Sequence, residues 1–562
     1  MNAAKQRKIV VIGAVAGGAK SAAKARRQDP YAEITIYTDE EYISYAGCGE
    51  PYYIADEIKD KKQLLARTPE QFDENMDIQV HTSHRVTKID PKKKVVVVKA
   101  LKENKEFEAP YDALVIATGA RPFIPPIPGR ELPGVYQLRT IPDTLAIREK
   151  VDSGTVKRAV VVGGGYIGLE MVESLTARGI QVTVIERLPQ LAPPYDEDVA
   201  KHINNELLKH GIGVRLNESV EEIIGSPETG VRAVKAGGEI IETDLVLLSV
   251  GIRPNVELAK DAGILTGPTG AIQVDKRMET SITDIFAAGD CAETFHQITE
   301  KPVWIALGST ANKMGRIVGI NITGGNAKFA GVLGTSIFRV FGLNVAGTGL
   351  IERDAIKEGY DIEVAVVPGG DRPHYMPDAK RVIIKLIASK SNRRVLGAQV
   401  WGDGKVDKTI DTIATAIQFK ATVDDLQQLD LAYAPPFAPA LGNPIVAANV
   451  LMNKLDGSTE GVLPGKVIEQ KEAKDDFVFL DVRGPKIMKE VCFEDCENIP
   501  MKDLRKRCEE LPRDKEIITS CNIGLNAALA YRVLKSNGFE KIKYMDGGIT
   551  AFPEPKRGPA AE

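Results

Sequence analysis

The sequence lacks a long apolar run. No segment of its 562 residues approaches the roughly 20 consecutive apolar residues that a membrane-spanning helix requires. The basic N-terminus leads into an apolar stretch at residues 9–12, but Gly13 interrupts it, so the stretch is too short for the core of a signal peptide. We therefore expect no membrane partner and a cytoplasmic protein.

An excess of positive charge and a cysteine framework are also missing. The formal net charge is −4, and no polybasic block favours nucleic-acid binding. Six cysteines in so long a chain do not predict disulfides, and in the cytoplasm we expect thiols unless catalysis uses them. Cys492 and Cys496 have no histidine or second pair at zinc spacing, which favours free thiols, so no metal site is expected.

A strand, a glycine turn and a helix follow one another near the N-terminus. Residues 8–12 resemble a buried strand, and an alanine-rich helix is predicted over residues 19–27. This is the dinucleotide-binding arrangement, in which a pyrophosphate lies at the helix N-terminus. The next strand, residues 34–37, leads to Thr38 and then to an acidic residue that can take the ribose hydroxyls. The candidate cofactor contacts here are Gly13, Ala16, Gly17 and Asp39.

The same pattern returns about 150 residues later in complete form. A strand is predicted over residues 159–162, residues 163–168 match the full G-x-G-x-x-G fingerprint, and the next strand ends in Glu186. A carboxylate accepts hydrogen bonds from a ribose 2′-OH and repels a 2′-phosphate, by on the order of 4 kcal/mol at 4 Å and an effective dielectric constant near 20. We therefore expect NADH rather than NADPH. The candidate contacts are Gly163, Gly165, Tyr166, Gly168 and Glu186.

Two short segments flank the second nucleotide fold. Residues 114–120 are predicted to form a strand that runs into a tight glycine turn, and residues 280–290 a strand that ends in an aspartate. That aspartate can bind a ribityl hydroxyl. The candidate contacts in these segments are Ala117, Thr118, Gly119, Gly289 and Asp290.

One cysteine lies in a setting typical of a nucleophile. Cys48 stands between two glycines, and Pro51 suits the first turn of a helix. Unpaired N–H groups at a helix N-terminus favour a thiolate. A lone cysteine is more often a buried structural residue, but two nucleotide folds in the same chain favour the catalytic interpretation.

The order of these motifs resembles the flavoprotein pyridine-nucleotide disulfide oxidoreductases over residues 8–450. The resemblance implies that the first fold and the two flanking segments hold FAD, that the second fold holds the nicotinamide cofactor, and that Glu170 lies near the nicotinamide. Position 53 is tyrosine, so Cys48 has no second cysteine nearby. A single cysteine together with the Tyr-Ala-Pro-Pro-Phe segment at 433–437 resembles the coenzyme A disulfide reductases and persulfide reductases.

That resemblance implies further site residues and a partner. Tyr375 and Tyr433 match two tyrosines that do acid–base and substrate-positioning work on the cysteine of the partner subunit, so a homodimer is implied. Coenzyme A carries several phosphate charges, which basic residues of the first helix can neutralise, although such residues are often only a solvated face. The candidate substrate contacts are Lys20, Lys24, Arg27, Ser44, Arg67 and Asn312.

The composition changes near residue 452. A polar linker is predicted at 453–465, and residues 466–562 resemble a rhodanese domain, whose loop cysteine carries a persulfide cradled by backbone N–H groups. Cys521 occupies that position, and Asn526 stands where the usual loop has arginine. The missing cation weakens the case for fast sulfur transfer to a small anionic acceptor.

The expected fold class is α/β, with two Rossmann-like dinucleotide-binding domains, an α+β dimerisation domain and a C-terminal α/β rhodanese-like domain. The predicted ranges are 1–150 with 271–329 for FAD, 151–270 for NAD(H), 330–452 for dimerisation and 466–562 for the rhodanese-like domain.

The expected activity is NADH-dependent reduction of coenzyme A persulfide, polysulfide or disulfide through Cys48. Coenzyme A is a substrate or a bound adduct. Two alternatives stay open: an NADH oxidase or peroxidase that uses a Cys48 sulfenic acid, and a flavin-bound redox sensor with a non-catalytic rhodanese-like module. Relatives of the oxidase type commonly have a histidine on the first helix, and none lies between Gly13 and Asp29.

Overall fold

The computed structural model describes residues 6–493 and 496–553. The chain divides into two compact units, the first formed by residues 6–187 with Arg215–Val332 and the second by Leu188–Val214 with residues 333–553. The outermost parts of two predicted ranges, residues 1–5 and 554–562, lie outside the described residues.

The first unit begins with the FAD-type fold. Its elements are β1 (Lys8–Ile12), α1 (Ala16–Gln28), β2 (Glu33–Tyr37), α2 (Glu50–Ile54), α3 (Pro69–Met76), β3 (Ile78–His81), β4 (His84–Asp90), β5 (Val95–Ala100), β6 (Lys105–Pro110), β7 (Ala113–Ile116), β8 (Ala120–Pro122), β9 (Val135–Tyr136) and α4 (Ile141–Asp152). Two 3₁₀ turns, Gly47–Gly49 and Lys61–Leu64, flank α2.

The NAD-type fold follows, and the chain then returns to the first fold. These elements are β10 (Arg158–Val162), α5 (Tyr166–Ala177), β11 (Gln181–Glu186), α6 (Glu197–Lys209), β12 (Gly213–Leu216), β13 (Val220–Ser226), β14 (Gly230–Ala236), β15 (Glu239–Glu242), β16 (Leu245–Leu248), β17 (Ile252–Pro254), α7 (Glu257–Asp261), β18 (Ile285–Ala287), β19 (Thr294–Phe295), β20 (Pro302–Val303) and α8 (Gly308–Asn321).

Parallel sheets form the core of both nucleotide folds. The first has the order β18-β7-β1-β2-β3, so a strand from beyond the second fold completes it. In the second, β10 lies between β11 and β16, and β16 pairs with β9. Strands such as β7 and β16 are apolar throughout because helices or other chain segments cover both faces of a parallel sheet.

The second unit contains an antiparallel sheet followed by a small parallel one. Its remaining elements are β21 (Ser336–Val340), β22 (Leu343–Gly349), α9 (Glu352–Lys357), β23 (Ile362–Gly370), β24 (Arg381–Ser389), β25 (Val395–Gly402), α10 (Val406–Gln418), α11 (Val423–Gln427), α12 (Asn443–Leu455), β26 (Gly461–Val462), α13 (Pro464–Glu472), β27 (Phe477–Asp481), α14 (Pro485–Glu490), β28 (Glu497–Asn498), α15 (Met501–Arg507), β29 (Glu516–Ser520), α16 (Leu525–Ser536), β30 (Ile542–Met545) and α17 (Gly548–Ala551). The strand orders are β21-β22-β25-β24-β23 and β26-β30-β29-β27-β28.

Three features differ from the sequence-based expectations. The strand predicted over 280–290 is only β18, because Asp284 has a positive φ of 63° and residues 281–284 form a bend and turn before it. The segment predicted as a linker, 453–465, is largely ordered, with the end of α12, strand β26 and the start of α13 inside it. The third difference is that Leu188–Val214 belongs to the second unit although it falls inside the predicted NAD range.

Buried ion pairs explain that third difference. Lys385 on β24 is buried and contacts the carboxylates of Asp196, Asp198 and Glu352 at 2.8–3.1 Å. Burial alone would lower the pKa of Lys385, but these three carboxylates outweigh it and raise the pKa. The lysine therefore stays charged and holds the start of α6 against the antiparallel sheet.

Candidate active site

The three predicted FAD segments meet around the turn after β1. A Cβ atom built on Gly13, where φ is +99°, would lie 2.2 Å from the carbonyl oxygen of Ala117, and one on Gly17 would lie 2.9 Å from that of Ala288. No described side chain caps α1, so its first N–H groups remain available to an anion. This cradle fits the pyrophosphate of FAD, with Thr118, Gly119 and Gly289 beside it.

The ribose position of the first fold is occupied by threonine. The N–H of Gly13 donates to Tyr37 as that of Gly163 donates to Ile185, so Thr38 corresponds to Glu186. Asp39 lies one residue further and pairs with Arg85, at 3.1 Å between the carboxylate and Nε. Its role toward FAD stays a prediction.

The second fold has the complete nucleotide cradle. Gly163, with φ +107°, passes so close to Ser249 that a Cβ atom would lie 2.2 Å from the carbonyl oxygen. Gly165 precedes α5, and Glu186 at the end of β11 is buried and accepts a hydrogen bond from the N–H of Gly164 at 2.8 Å. These residues fit an NAD-type dinucleotide. Tyr166 and Gly168 lie in the first turn of α5.

Cys48 lies where the two nucleotide folds approach each other. It sits in the 3₁₀ turn Gly47–Gly49 directly before α2, and Pro51 occupies the first turn of that helix as predicted. Its side chain is exposed. From the second fold, Glu170 on α5 accepts a hydrogen bond from the hydroxyl of Tyr52 on α2, at 3.3 Å. The structure thus brings together Cys48, Glu170 and, from the FAD fold, Asp290.

The electrostatics at Cys48 differ from the expectation. Partial desolvation of the sulfur, followed by the carboxylates of Glu170, Asp290 and Glu50, raises the pKa of the Cys48 thiol, and Arg139 opposes this only in part. The helix was expected to lower that pKa. Because α2 has only five residues, its dipole is small, and desolvation together with the neighbouring carboxylates outweighs it.

The predicted substrate residues form one basic patch and two outlying positions. Lys24 and Arg27 on α1 lie near Arg316 of α8, since burial, Arg316 and Arg27 together lower the pKa of Lys24. Lys20 is on the same helix, and exposed Asn312 is on α8, which packs against α1. Arg316 was missed because it follows the last FAD segment by 26 residues, and only the packing of α8 on α1 places it here.

Two of the predicted substrate residues lie outside that patch. Ser44, which has a positive φ of 47°, donates its backbone N–H to the carbonyl of Ala14 at 2.8 Å, next to the FAD turn. Arg67 instead lies over the ring of Phe72 and reaches the sulfur of Met76.

In the second unit, the two predicted tyrosines are neighbours. Tyr375 lies between β23 and β24, Tyr433 lies between α11 and α12, and their side chains share a hydrogen bond. Partial desolvation and the Tyr433 hydroxyl raise the pKa of Tyr375. The side chains are 61% and 52% exposed, so both hydroxyls are accessible.

A cavity of about 1590 Å³ adjoins these tyrosines. Its wall includes both tyrosines and Ile523, which lies two residues after Cys521. The basic side chains on the wall are those of His202, Lys209, Arg372, His374, Lys380 and Arg381. The tyrosine pair and the rhodanese-type loop thus open onto one space within the second unit.

Cys521 lies at the carboxyl end of β29, directly before the loop that leads into α16. The side chain is only 3% exposed, and its carbonyl accepts from the N–H of Ile549 at 2.9 Å. Asn526 is exposed in the first turn of α16. Cys492 and Cys496 flank residues outside the described part of the chain. Within the described part, no cluster of three or more histidine, cysteine or acidic side chains is arranged to hold a metal.

A cation that sequence reasoning missed lies beside this loop. Arg483, two residues after β27, forms a buried ion pair with Asp481 at 2.7 Å and approaches the side-chain oxygen of Asn522 at 3.4 Å. The pairing of strands could have predicted this contact. Because β27 and β29 are parallel neighbours, the residues that follow their carboxyl ends meet at one edge of the sheet.

The fold and the two nucleotide cradles define an FAD- and NAD(P)H-dependent oxidoreductase. The chain belongs to the pyridine nucleotide-disulphide oxidoreductase family, whose model matches residues 7–315, and its dimerisation domain matches residues 335–444. A rhodanese-like domain matches residues 464–554. The predicted fold class is therefore confirmed, as are FAD and NAD(P)H as the cofactors of this enzyme family. Within the described residues, no helix has both the length and the apolar character needed to cross a membrane.

Three individual proteins resemble this chain over most of its length. The chain is 39% identical over 448 residues to the CoA-dependent NAD(P)H sulfur oxidoreductase of Pyrococcus furiosus, covering 80% of this chain and 99% of that protein. It is 37% identical over 448 residues to an NADH oxidase of Methanocaldococcus jannaschii, covering 79% and 99%. A solved NAD-dependent persulfide reductase from A. fulgidus superposes with a TM-score of 0.91 and 42% identity, over 97% of this chain and 99% of that one.

Proposed function

We propose that this enzyme reduces coenzyme A persulfide, polysulfide or disulfide with NADH through Cys48, and that Cys521 handles sulfane sulfur. One observation carries the proposal. An exposed cysteine without a second cysteine at position 53 lies close enough to Glu170 of the NAD fold and to Asp290 of the FAD fold for both carboxylates to act on its thiol. Such a site must form its disulfide with the substrate.

The chemistry assigned to Cys48 is nucleophilic attack on a sulfur–sulfur bond. With a coenzyme A persulfide, the thiolate attacks the inner sulfur, forms a mixed disulfide with coenzyme A and expels hydrogen sulfide; with the disulfide, it expels coenzyme A thiolate. Bound FAD and NADH supply the two electrons that cleave the mixed disulfide. Cys48 and coenzyme A are then released as thiols. The basic patch of Lys20, Lys24, Arg27 and Arg316 suits the phosphates of coenzyme A, with Asn312 beside it.

The role proposed for the two tyrosines is to protonate the sulfur that is expelled in the reaction at the partner subunit's cysteine. The dimerisation domain supports a homodimer, in which Tyr433 and Tyr375 face the partner's cysteine. A phenol hydrogen-bonded to a second phenol can donate a proton to an expelled sulfide. The unpaired state of all six cysteines supports a cytoplasmic location.

Replacing Tyr433 with phenylalanine tests that assignment. We expect kcat/KM for coenzyme A disulfide to fall roughly 100-fold, because the general acid is lost while the ring is kept. Tyr375→Phe combined with it should add little, since the two hydroxyls act as one hydrogen-bonded unit. Steady-state kinetics measure both, and Tyr31→Phe, at a tyrosine that is 78% exposed in the first unit, is the matched control. Equal rates for Tyr433→Phe and Tyr31→Phe would rule the role out.

The proposed role of Cys521 is to hold a persulfide in the loop whose Ile523 lines the same cavity as Tyr375. Arg483 supplies a buried cation near the loop even though Asn526 replaces the usual arginine. Sulfur bound on Cys521 is then available to a thiol acceptor in the same cavity. This supports sulfane sulfur, rather than a plain disulfide, as the physiological substrate.

Initial rates of NADH oxidation test the whole proposal. We expect turnover with coenzyme A persulfide and coenzyme A disulfide to exceed turnover with oxygen alone by at least about tenfold, because the mixed disulfide needs a sulfur substrate. NADPH should be the poorer donor, since the carboxylate of Glu186 repels a 2′-phosphate. Rapid oxygen consumption without any thiol substrate would instead favour an NADH oxidase.

That second candidate function has one observation in its favour, the 37% identity to a protein named NADH oxidase. Against it, α1 contains no histidine between Gly13 and Asp29. The rhodanese-like domain also has no use in the reduction of oxygen.

A further inference from the structure

Glu50 is a buried carboxylic acid two residues after Cys48. Its side chain begins α2, the residue is only 2% exposed, and none of the described atoms hydrogen-bonds its Oε1. Burying a carboxyl group without a full set of hydrogen-bond partners lowers the stability of the folded protein. The mechanism proposed above gives Glu50 no role. It therefore calls for a separate explanation.

The groups that face Glu50 come from two segments, one after β2 and one at the start of α4. Glu40 and Tyr45 follow β2 and share a hydrogen bond. Arg139 precedes α4, while Asp143 and Thr144 lie in its first turn, and the Thr144 hydroxyl hydrogen-bonds Glu50. Asp143 is itself held by the backbone N–H and hydroxyl of Thr140 at 2.9 and 2.8 Å.

The cluster holds more carboxyl groups than cations. Arg139 is the single positive charge that acts on Glu50 and on Cys48 among the groups named, and it is also engaged by the carbonyl of Ala120 at 3.0 Å and by Asp290 at 3.4 Å. Burial raises the pKa of Glu50 to about 8, Arg139 and Thr144 oppose this, and Asp143 and Glu40 add to it. The carboxyl of Glu50 is therefore neutral at neutral pH.

The groups that face Cys48 connect it to this cluster. They are Glu170 from α5, Asp290 after β18, Glu50 from α2 and the opposing Arg139. A thiolate at Cys48 already meets the carboxylates of Glu170 and Asp290. A third negative charge two residues away would push the proton back onto sulfur.

We propose that Glu50 is a positioning residue that carries a proton beside Cys48, so that the reactive thiolate faces a neutral acid rather than a third carboxylate. This inference rests on the proposed role of Cys48 as nucleophile. Below pH 8 Glu50 is protonated and the thiolate is tolerated. Above pH 8 Glu50 ionises, and its charge opposes the thiolate. Glu50 thus sets an alkaline limit on the reactivity of Cys48.

The test measures Cys48 directly, without turnover. Reduced FAD-loaded enzyme is alkylated with iodoacetamide from roughly pH 6 to pH 10, and peptide mass spectrometry follows Cys48 alone. The ratio of the rate for Glu50→Gln to that of the unaltered enzyme should be close to one below pH 7 and rise above pH 8 to about threefold or more, because only the ionised acid is removed. Glu41→Gln, at an exposed carboxylate of the same segment, should give a ratio of one throughout.

If the ratio of the two alkylation rates has the same value at every pH in this range, whatever that value is, the proposal is wrong. A purely structural role of Glu50 would change the reactivity of Cys48 equally at every pH. If Glu50→Gln does not bind FAD, the unaltered enzyme still decides the matter. Its alkylation profile should be broader than a one-proton titration, and a one-proton curve would refute the coupling. Because alkylation needs no substrate, either failure leaves the proposed reductase activity untouched, and that activity is judged by NADH oxidation alone.

Discussion

Replacing Cys48 with serine should lower NADH-dependent reduction of coenzyme A persulfide and disulfide by at least about 1,000-fold, because serine removes the only nucleophile that can form the mixed disulfide. No other cysteine can substitute within the first unit, where the one remaining cysteine, Cys291, is fully buried and directs its thiol to backbone carbonyls. Steady-state rates with each sulfur substrate measure the loss.

Two controls separate chemistry from folding. NADH-dependent reduction of an artificial electron acceptor should persist in Cys48→Ser, because the substitution changes no residue of either nucleotide cradle. Cys521→Ser is the matched cysteine variant in the second unit, and it should keep the reduction of coenzyme A disulfide while losing turnover that depends on sulfur held by the rhodanese-like domain. Persulfide reduction by Cys48→Ser at the original rate would disprove the mechanism.

Replacing Lys454 with methionine should destabilise the second unit by about 3–5 kcal/mol, since it leaves the fully buried carboxylate of Asp546 and the partly buried one of Glu363 without their cation. The ammonium group contacts Asp546 at 2.9 Å and Glu363 at 3.1 Å, and it also donates to the carbonyl of Val364. Burial alone would lower the pKa of Lys454, but the two carboxylates outweigh it and raise the pKa, so the lysine stays charged. Lys454 on α12 thereby ties β23 to the end of β30.

Urea unfolding measures this change, and limited proteolysis around residues 453–465 reports where the unit opens. Lys466→Met is the matched control, because its pair with Glu469 is 60% and 62% exposed and should contribute less than about 1 kcal/mol. Adding Asp546→Asn to Lys454→Met should restore part of the stability by removing one unpaired charge. A loss no larger than that of Lys466→Met would show that the ion cluster does not fasten the domains.

Local patterns predicted the elements that carry the cofactors. Apolar runs such as residues 8–12 and 159–162 became β1 and β10, because strands buried on both faces need uninterrupted apolar side chains. The glycines that follow them were identifiable because backbone segments pass too close for a side chain, which leaves a repeated signature in the sequence.

Long-range contacts were beyond such patterns. The assignment of Leu188–Val214 to the second unit depends on Lys385, about 190 residues further along the chain. The polar composition of residues 453–465 predicted a linker. Lys454 is nevertheless buried, because it forms ion pairs with two carboxylates that are distant in sequence. The meeting of Arg316 with α1 and of Arg483 with Asn522 likewise follows from packing and strand order.

The sequence alone determined the family, the two nucleotide cradles and the single cysteine without a nearby partner, because each is written in residue types at fixed local spacing. The tertiary structure alone decided the electrostatic setting of Cys48. Glu170, Asp290, Arg139 and Glu50 come from four separate segments, and the pKa of a thiol depends on distance and burial rather than on its neighbours in sequence. A turn expected to lower the pKa of Cys48 therefore lies where desolvation and neighbouring acids raise it.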